Sequence, residues 1–596
     1  MAQHDNLRLN WQKIAHFKGR NISENVLLAH EVISNIRLRG KPDNMVIKLD
    51  MAKAYDMVEW NFLIKVLEKM GFGAEILDMI WRLIANNWYS VIINGQNHGF
   101  FHSTRGVKQG DPLSPALFIL SAEVLSRAMN QLYERYEYKS YGLPKWSDKL
   151  NHLSYADDTI IFAAADNFFL KLIMRVLRKY EEQSGQLINK DKSSYYVHNK
   201  AAHASRQLVE EITGFTRGLF PLTYLGCPIG HAKKKKVYFS MLIKKIQNKL
   251  QLWKGKLLTF GGEIVLINSV LQSIPIYLLS VSNSPKCVIH DIHRMFAKFM
   301  WNFKEEGRST HWIAWKDICV PKEEGGLGLR SLFDTSKALF AKLWWNFRTT
   351  NTLWSNYMWI KYCKRHRPQT IEWRGGSQVW KNMILARNFF DQEIWWEPKK
   401  GDVSVWFDNW TQLGDLHYHM NLNHDQSQVE SVYELCNEDG WNQTVLQHNL
   451  DEATCNHVTR ILGRLTPTQE RDKPWWMPSG SGKFKETFEH LFIECPDTYL
   501  GVIQGGSRAA FAGTRRKQSF NINDTPQQAR LTSTYPPLHH RSTTTMLKKS
   551  SLVMNHSVSE SFWRTSDYKP NMLLFVEDDG WTGALVTSKK PWKRSF

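Results

Sequence analysis

The chain has 596 residues, with 77 Lys and Arg against 57 Asp and Glu for a formal net charge of +20, and it is 42% hydrophobic and 13% aromatic. That composition excludes a wholesale disordered or collagen-like chain, leaves room for three or four domains, and favours a polyanionic partner whose phosphates Lys and Arg would neutralise. The seven cysteines are scattered without a Cys-x-x-Cys pair, which excludes a disulfide framework and an evident zinc cluster and implies a reducing, intracellular compartment.

In chain order, Phe17-Lys18-Gly19-Arg20 and Asn21-Ile22-Ser23-Glu24-Asn25 precede an apolar helix for which Ser23 is a suitable cap. Met45-Val46-Ile47-Lys48-Leu49-Asp50 then reads as a short buried strand ending in an acid, and Met51 to Asp56 lead towards a helix. Two amphipathic helices follow, one with Phe62, Leu63, Val66, Leu67 and Met70 and stopped by Gly71, the other with Ile76, Leu77, Ile80, Trp81 and Ile84. Tyr89 to Ile93 running into Asn94-Gly95 is a hairpin signal.

Next comes the loop Arg105-Gly106-Val107-Lys108-Gln109-Gly110-Asp111-Pro112-Leu113-Ser114-Pro115, ahead of a helix bearing Leu117, Leu120, Val124 and Leu125. Gly106 and Gly110 permit close backbone approach, Arg105 and Lys108 add positive charge, and Pro115 suits a first helical turn. This loop either cradles a nucleotide or template base or simply caps the helix.

Leu153 to Phe162 reads as two strands joined by a tight acidic turn that sets Asp157 and Asp158 side by side. Asp pairs are common turn formers, but unneutralised carboxylates this close repel unless a divalent cation shares them. With Asp50 at the end of a neighbouring strand, three carboxylates have the makings of a site for two Mg²⁺ ions roughly 4 Å apart, the arrangement used for in-line nucleotidyl transfer. Asp56, six residues further on, is less suited as a ligand.

Asp166 is placed to cap a helix carrying Phe169, Leu172, Ile173, Val176, Leu177 and Tyr180, and Gly185 to end it. The alternation of strands and helices indicates an α/β (α+β) fold, an antiparallel sheet covered by helices on one face. A basic region starts at Lys233-Lys234-Lys235-Lys236 and continues through Lys244, Lys245, Lys249, Lys254 and Lys256, interleaved with Tyr238, Leu242, Ile246, Leu250 and Trp253. This is an amphipathic helix whose cationic face is either merely solvated or follows a nucleic-acid backbone. The apolar run from Ile264 to Val281 is broken by Asn268, Ser269, Gln272 and Pro275, so no membrane span or membrane partner is expected and the chain reads as soluble. From Trp301 to Trp410 the sequence is rich in tryptophan, read as core anchors for helices in preference to base-stacking platforms.

Leu49-Asp50 through Tyr55-Asp56, Gln109-Gly110-Asp111-Pro112-Leu113-Ser114-Pro115 and Tyr155-Ala156-Asp157-Asp158, in this order, resemble the palm motifs of reverse transcriptases, most closely those of plant LINE-type non-LTR retrotransposons. The resemblance extends through Ser184-Gly185-Gln186-Leu187-Ile188-Asn189 with Lys192-Ser193, Tyr224-Leu225-Gly226-Cys227-Pro228-Ile229-Gly230 and Gly325-Gly326-Leu327-Gly328-Leu329, and covers roughly residues 12 to 495. It implies an RNA-directed DNA polymerase in which Asp50, Asp157 and Asp158 hold two Mg²⁺ ions, with Mn²⁺ as a substitute, and Lys192 lies near the leaving pyrophosphate as general acid or charge neutraliser. It places Tyr55 beneath the sugar, and Arg20, Arg105, Gln109 and Gly110 at nucleotide or template. Lys233, Lys234, Lys235, Lys236, Lys244 and Lys245 fall on the primer-template backbone.

The implied partners are an RNA template, a DNA primer, dNTPs and a separately supplied endonuclease; synthesis primed on chromosomal DNA would place the chain in the nucleus. The implied layout is a fingers remnant at 1–44, a palm at 45–230, a thumb-like basic helical region at 231–300, a mostly helical Trp-rich region at 301–472, a shortened zinc-binding-like segment at 473–496 and an unrelated, disordered tail at 497–596. His490 and Cys495 match the end of the zinc-binding segment, but two ligands do not make a tetrahedral site. The family's endonuclease and much of its fingers, expected ahead of residue 12, are missing. Two other readings therefore stand beside the polymerase: a catalytically silent retrotransposon relic, and a nucleic-acid-binding protein that uses the basic helix without chemistry.

Overall fold

A computed structural model describes residues 21–484, apart from 38–41, 135–138, 232–233, 255–257, 302–311, 421–428, 438–439, 442, 466–467, 480 and 483. Arg20, Lys233, His490, Cys495 and the tail at 497–596 therefore lie outside the described residues.

The chain begins with α1 (Ile22–Ser34), β1 (Asn44–Leu49), β2 (Met51–Ala52), α2 (Trp60–Lys69) and α3 (Ala74–Ala85), followed by β3 (Trp88–Ile93), β4 (Gln96–His102) and α4 (Ser114–Gln131). It continues through β5 (His152–Tyr155), β6 (Asp158–Ala164), α5 (Asn167–Ser184), β7 (Leu187–Ile188), β8 (Ser194–Val197), α6 (His203–Thr213), β9 (Thr216–Arg217), β10 (Leu222–Tyr224) and β11 (Cys227–Ile229). Both expected helices after Asp50 are present, and α5 carries the expected signals: the Asp166 side chain accepts from the Phe168 and Phe169 amides, and Gly185 ends the helix at φ 72°. Ser23 is not the cap of α1. Asn21 takes that place, accepting the Ser23 amide, because the cap must precede the first helical residue.

Five strands make the central sheet in the order β5-β6-β1-β8-β9, antiparallel except for the β8–β9 pair. Side chains alternate across it. Met45, Ile47, Leu49, Ile161, Ala163, Tyr195 and Val197 join one core with α2, α4 and α5. Val46, Ile160, Phe162 and Tyr196 join a second core with α1, the β10–β11 hairpin and the C-terminal helices. The expectation of helices on one face is thus corrected: the sheet is buried on both faces, which is why β1 is an almost unbroken apolar run rather than an alternating one.

The hairpin of β3 and β4 falls in a compact unit distinct from the one that holds the sheet. Within it Asn94 and Gly95 both take positive φ, the requirement of a type I′ turn, and Trp88 stacks on Phe100 with centroids 4.8 Å apart.

The C-terminal part is helical: α7 (Ser240–Lys254), α8 (Phe260–Leu266), α9 (Ile276–Val281), α10 (Lys286–Trp301), α11 (Trp315–Ile318), α12 (Leu332–Thr349), α13 (Leu353–Met358) and α14 (Gln378–Phe390). Trp344, Trp354, Trp380 and Trp410 are fully buried, as core anchors should be, whereas Trp312 and Trp373 are exposed. Helix α1 is tied to this region by a buried carboxylate: Glu31 accepts from Lys361 Nζ at 2.9 Å, from the Tyr362 hydroxyl at 2.7 Å and from Ser377 Oγ. Among the described residues no helix is long and apolar enough to cross a membrane.

Candidate active site

The pairing of Tyr155 with Asp158 closes the β5–β6 hairpin over a two-residue turn, Ala156-Asp157. Ala156 takes φ 52°, the positive value such a turn needs at its first position. β6 lies beside β1 with Leu49 opposite Thr159, so Asp50, one residue beyond, falls across from Asp158. The main chain of Asp50 is fastened on both sides: its amide donates to Ser193 Oγ at 3.1 Å and its carbonyl accepts the Asn189 amide at 2.8 Å. The same turn is closed by the Ser193 amide donating to the Asn189 carbonyl, and the Lys192 amide donates to Asn189 Oδ1 at 3.2 Å. Lys192 is thereby held in the turn that grips Asp50, with an exposed side chain.

The three acids act on one another. Burial raises the Asp158 carboxyl above the usual aspartate range, Lys48 at 4.0 Å lowers it, and Asp157 and Asp50 raise it again. Tyr55 belongs to the same neighbourhood: its hydroxyl is pushed up by burial and by Asp157, and its ring stacks on Phe118 of α4 at 4.7 Å with planes 10° apart.

The loop between Asp50 and α2 is clamped from two directions. From one side the Gly106 amide donates to the Val58 carbonyl, the Val107 amide to the Tyr55 carbonyl, and Trp60 Nε1 to the Gly106 carbonyl at 2.7 Å. From the other, Gln186 Nε2 donates to the Ala54 carbonyl at 3.0 Å and the Glu59 amide to the Ser184 carbonyl at 2.9 Å. The close approach expected of Gly106 is to the protein itself: a Cβ there would lie 2.6 Å from the Asp56 carbonyl oxygen. Gly110, at φ 87°, has nothing within 4 Å of its Cβ position, so its conformation is what calls for glycine. Gln109 donates to Asp56 Oδ1 at 3.2 Å and Arg105 lies 4.0 Å from Glu59, so both are engaged with this loop. Asn189, Ser193 and Gln186 position the site; the sequence carried them inside the motif that extends the resemblance but assigned them no role, and Asn189, an Asx-turn residue four before a serine, was the available signal.

Hard carboxylate oxygens that repel one another are the donor set a divalent cation would stabilise, so the residues present suit Mg²⁺ in chemistry. As placed, they do not form a finished ligand cage: among the described residues no group of three or more His, Cys, Asp or Glu side chains is arranged to hold a metal ion.

The basic region divides. Lys244 and Lys245 are exposed on α7, and Lys235 is exposed just before it. Lys236 pairs with Asp291 at 2.5 Å. Lys234 departs from the expected cationic surface: its amine donates to Ser282 Oγ at 2.6 Å, and burial lowers its pKa to about 8.

Residues 6–229 match the family model described as "Reverse transcriptase (RNA-dependent DNA polymerase)". Over 283 residues the chain is 26% identical to a putative ribonuclease H protein of Arabidopsis thaliana, covering 45% of this chain and 44% of that protein. It is 27% identical over 316 residues to the transposon TX1 uncharacterized 149 kDa protein of Xenopus laevis, covering 52% of this chain and 23% of that one. It is 28% identical over 142 residues to the retrovirus-related Pol polyprotein from type-1 retrotransposable element R2 of Popillia japonica, covering 24% and 22%. The chain thus spans less than half the length of each of these relatives. The ordered motifs, the strand pair that carries the three acids and the matched family model agree: residues 6–229 are a reverse transcriptase domain of the non-LTR retrotransposon type.

Proposed function

We propose that this chain extends a DNA primer on an RNA template, with Asp50, Asp157 and Asp158 as the catalytic carboxylates. The observation that carries this is the placement of Asp50 across from Asp158 at the end of two paired strands, with Asp157 in the adjoining turn. Two Mg²⁺ ions, or Mn²⁺, held by these residues would supply charge stabilisation for attacking and leaving oxygens. The chain's own contribution is positional. Asn189 and Ser193 fix the Asp50 backbone, the ring of Tyr55 sets the floor beneath the sugar of an incoming dNTP, and Lys192 stands where it can protonate or neutralise the departing pyrophosphate. Gln109 and Arg105 shape the nucleotide and template side through their grip on the Asp56–Glu59 loop, and Gly110 supplies the left-handed backbone of the same segment. Lys244 and Lys245 follow the nucleic-acid backbone as sequence-independent contacts. A separate endonuclease supplies the primer terminus, and the nucleus is the compartment where such priming takes place.

Primer extension on a poly(A) template with Mg²⁺, beside an Asp157→Asn control, tests this. Extension that vanishes in the control is the expected result; a folded, RNA-binding chain that extends nothing would leave only a non-catalytic binding role.

A further inference from the structure

The segment from α13 to α14 supplies none of the residues assigned to the reaction, yet its hold on α1 is more specific than packing requires. The Lys361 ammonium has three N–H donors, and all three end on α1: at the Glu31 carboxylate, the Glu31 carbonyl and Ser34 Oγ, each at 2.9 Å. The Tyr362 hydroxyl donates to the same carboxylate oxygen as Lys361 and accepts the Ser377 amide at 3.0 Å. Ser377 Oγ donates to the other carboxylate oxygen and caps α14 by accepting the Trp380 amide at 3.0 Å. The Tyr362 ring lies flat on Trp380, with centroids 4.6 Å apart. Lys361 and Tyr362 belong to Trp359–Cys363, a π-helical turn. Turns of this kind are rare and are often found at functional sites.

Glu31 is fully buried. Burial would raise its carboxyl, but Lys361, His30 and Ser377 hold it below the usual glutamate range, so the cluster is a buried ion pair. Such a pair adds little stability over apolar side chains of the same volume; what it can add is one defined docking geometry.

The same helix touches both strands of the acidic hairpin. Asn25 Nδ2 donates at 3.4 Å to the carbonyl of Ser154, three residues before Asp157 on β5. β5 is an outer strand of the sheet, so its outward carbonyls need partners beyond the ladder. The Val32 carbonyl accepts the Tyr141 hydroxyl at 3.1 Å, and the Tyr141 ring meets Phe162 of β6 edge-on at 5.7 Å. Asn25, Val32, Tyr141 and Phe162 are all buried, so these contacts are shielded from water.

We propose that Glu31 is a positioning residue for nucleotidyl transfer: through α1, the clamp of Lys361, Tyr362 and Ser377 fixes where the β5–β6 hairpin presents Asp157 and Asp158. The reaction rests on the polymerase reading; the mechanical route from clamp to hairpin does not. Extension then depends on α13 and α14 for geometry and not for chemistry.

The test compares the full chain with Glu31→Met/Lys361→Met, which removes both charges and nearly keeps the volume, and with Arg348→Met, which disturbs the C-terminal helices at a different buried ion pair. At a temperature where all are folded, kcat and KM are measured in primer extension, and amide hydrogen exchange is followed over residues 150–165. The double variant is expected to lose about 10-fold in kcat with KM for template-primer unchanged, and to exchange about 10-fold faster over that segment. Arg348→Met is expected to keep the parent's kcat and exchange despite its lower melting temperature. Should the double variant unfold, Tyr362→Phe removes one hydrogen bond, keeps the ring on Trp380, and is expected to lower kcat about 3-fold. Parent-like kcat, parent-like exchange, or the same losses in Arg348→Met overturn the proposal. The two readings fail separately. A parent that extends nothing while the double variant exchanges faster sinks the polymerase reading alone, whereas Asp157-dependent extension with kcat unchanged in the double variant sinks this one alone.

Discussion

The aspartates of the candidate active site and those of the C-terminal region form two groups of three that are handled in contrasting ways. Asp391 and Asp408 share the guanidinium of Arg348, which is only 6% exposed; Arg348 donates to Asp391 at 3.0 Å and to Asp408. Trp344 Nε1 adds a hydrogen bond to Asp391 at 2.6 Å, and the Ser404 amide one to Asp408 at 2.7 Å. Asp415, the third member, is pushed up to about 7 by burial and by the other two acids. At the candidate active site, Asp158 has Lys48 at 4.0 Å, and among the described residues the Asp50 and Asp157 carboxylates make no hydrogen bond or ion pair. Buried structural acids must find their cation inside the fold, because an unpaired charge there costs several kcal/mol. The active-site acids sit at a strand end and a turn, where water shares the charge and an external cation has access.

Removing the cation should therefore matter most where it is built in. Arg348→Met strands Asp391 and Asp408 and is expected to lower unfolding stability by about 3–5 kcal/mol, read by chemical denaturation. A variant as stable as the parent would erase the contrast between the two groups. The candidate active site should show the reverse pattern: Asp157→Asn is expected to cut primer extension by about 100-fold or more while leaving stability within about 0.5 kcal/mol. A large stability loss would class that group as structural too.

Gly106→Ala sharpens the comparison on the side of the candidate active site, because its Cβ would collide with the Asp56 carbonyl and the residue sits at φ 89°. A loss of about 1–3 kcal/mol is expected, together with slower extension at unchanged RNA affinity, since the displaced loop carries Tyr55. The effect confined to one pH range concerns Asp415. Its folded pKa lies above the ordinary aspartate value, so the stability it contributes is full below that value and is lost as pH rises towards and through about 7. Asp415→Asn should flatten this part of the melting-temperature profile and make the variant relatively more stable above pH 7. A profile identical to the parent's would remove Asp415 from the buried group.

Many elements of the N-terminal part were legible in local sequence. Apolar runs, Asp166 and Gly185 at the ends of α5, and Asn94-Gly95 between two strands are short-range signals, and each produced the expected element. The acidic turn was legible for the same reason, as was the neighbouring strand that ends at Asp50. The sequence could not show that Gly106 serves the Asp56 loop or that Asn189 and Ser193 grip Asp50, because these contacts join residues 50 to 143 positions apart. Nor could the Lys233–Lys236 run reveal that Lys234 is half-buried on Ser282 while Lys235 is exposed, since a charge pattern does not say which way each side chain turns.

By itself, then, the sequence determined many of the elements, the order of the motifs, and the acidic turn of Asp157 and Asp158 and the strand that ends at Asp50, all of which depend on residues close together in the chain. The tertiary structure alone decided that the sheet is buried on both faces, that Glu31 docks on Lys361 some 330 positions away, and that one aspartate group shares a buried guanidinium while the other has only Lys48, 4.0 Å from Asp158. The physical reason is that burial and charge compensation are properties of the packed neighbourhood, and that neighbourhood is assembled from segments whose local patterns are silent about one another.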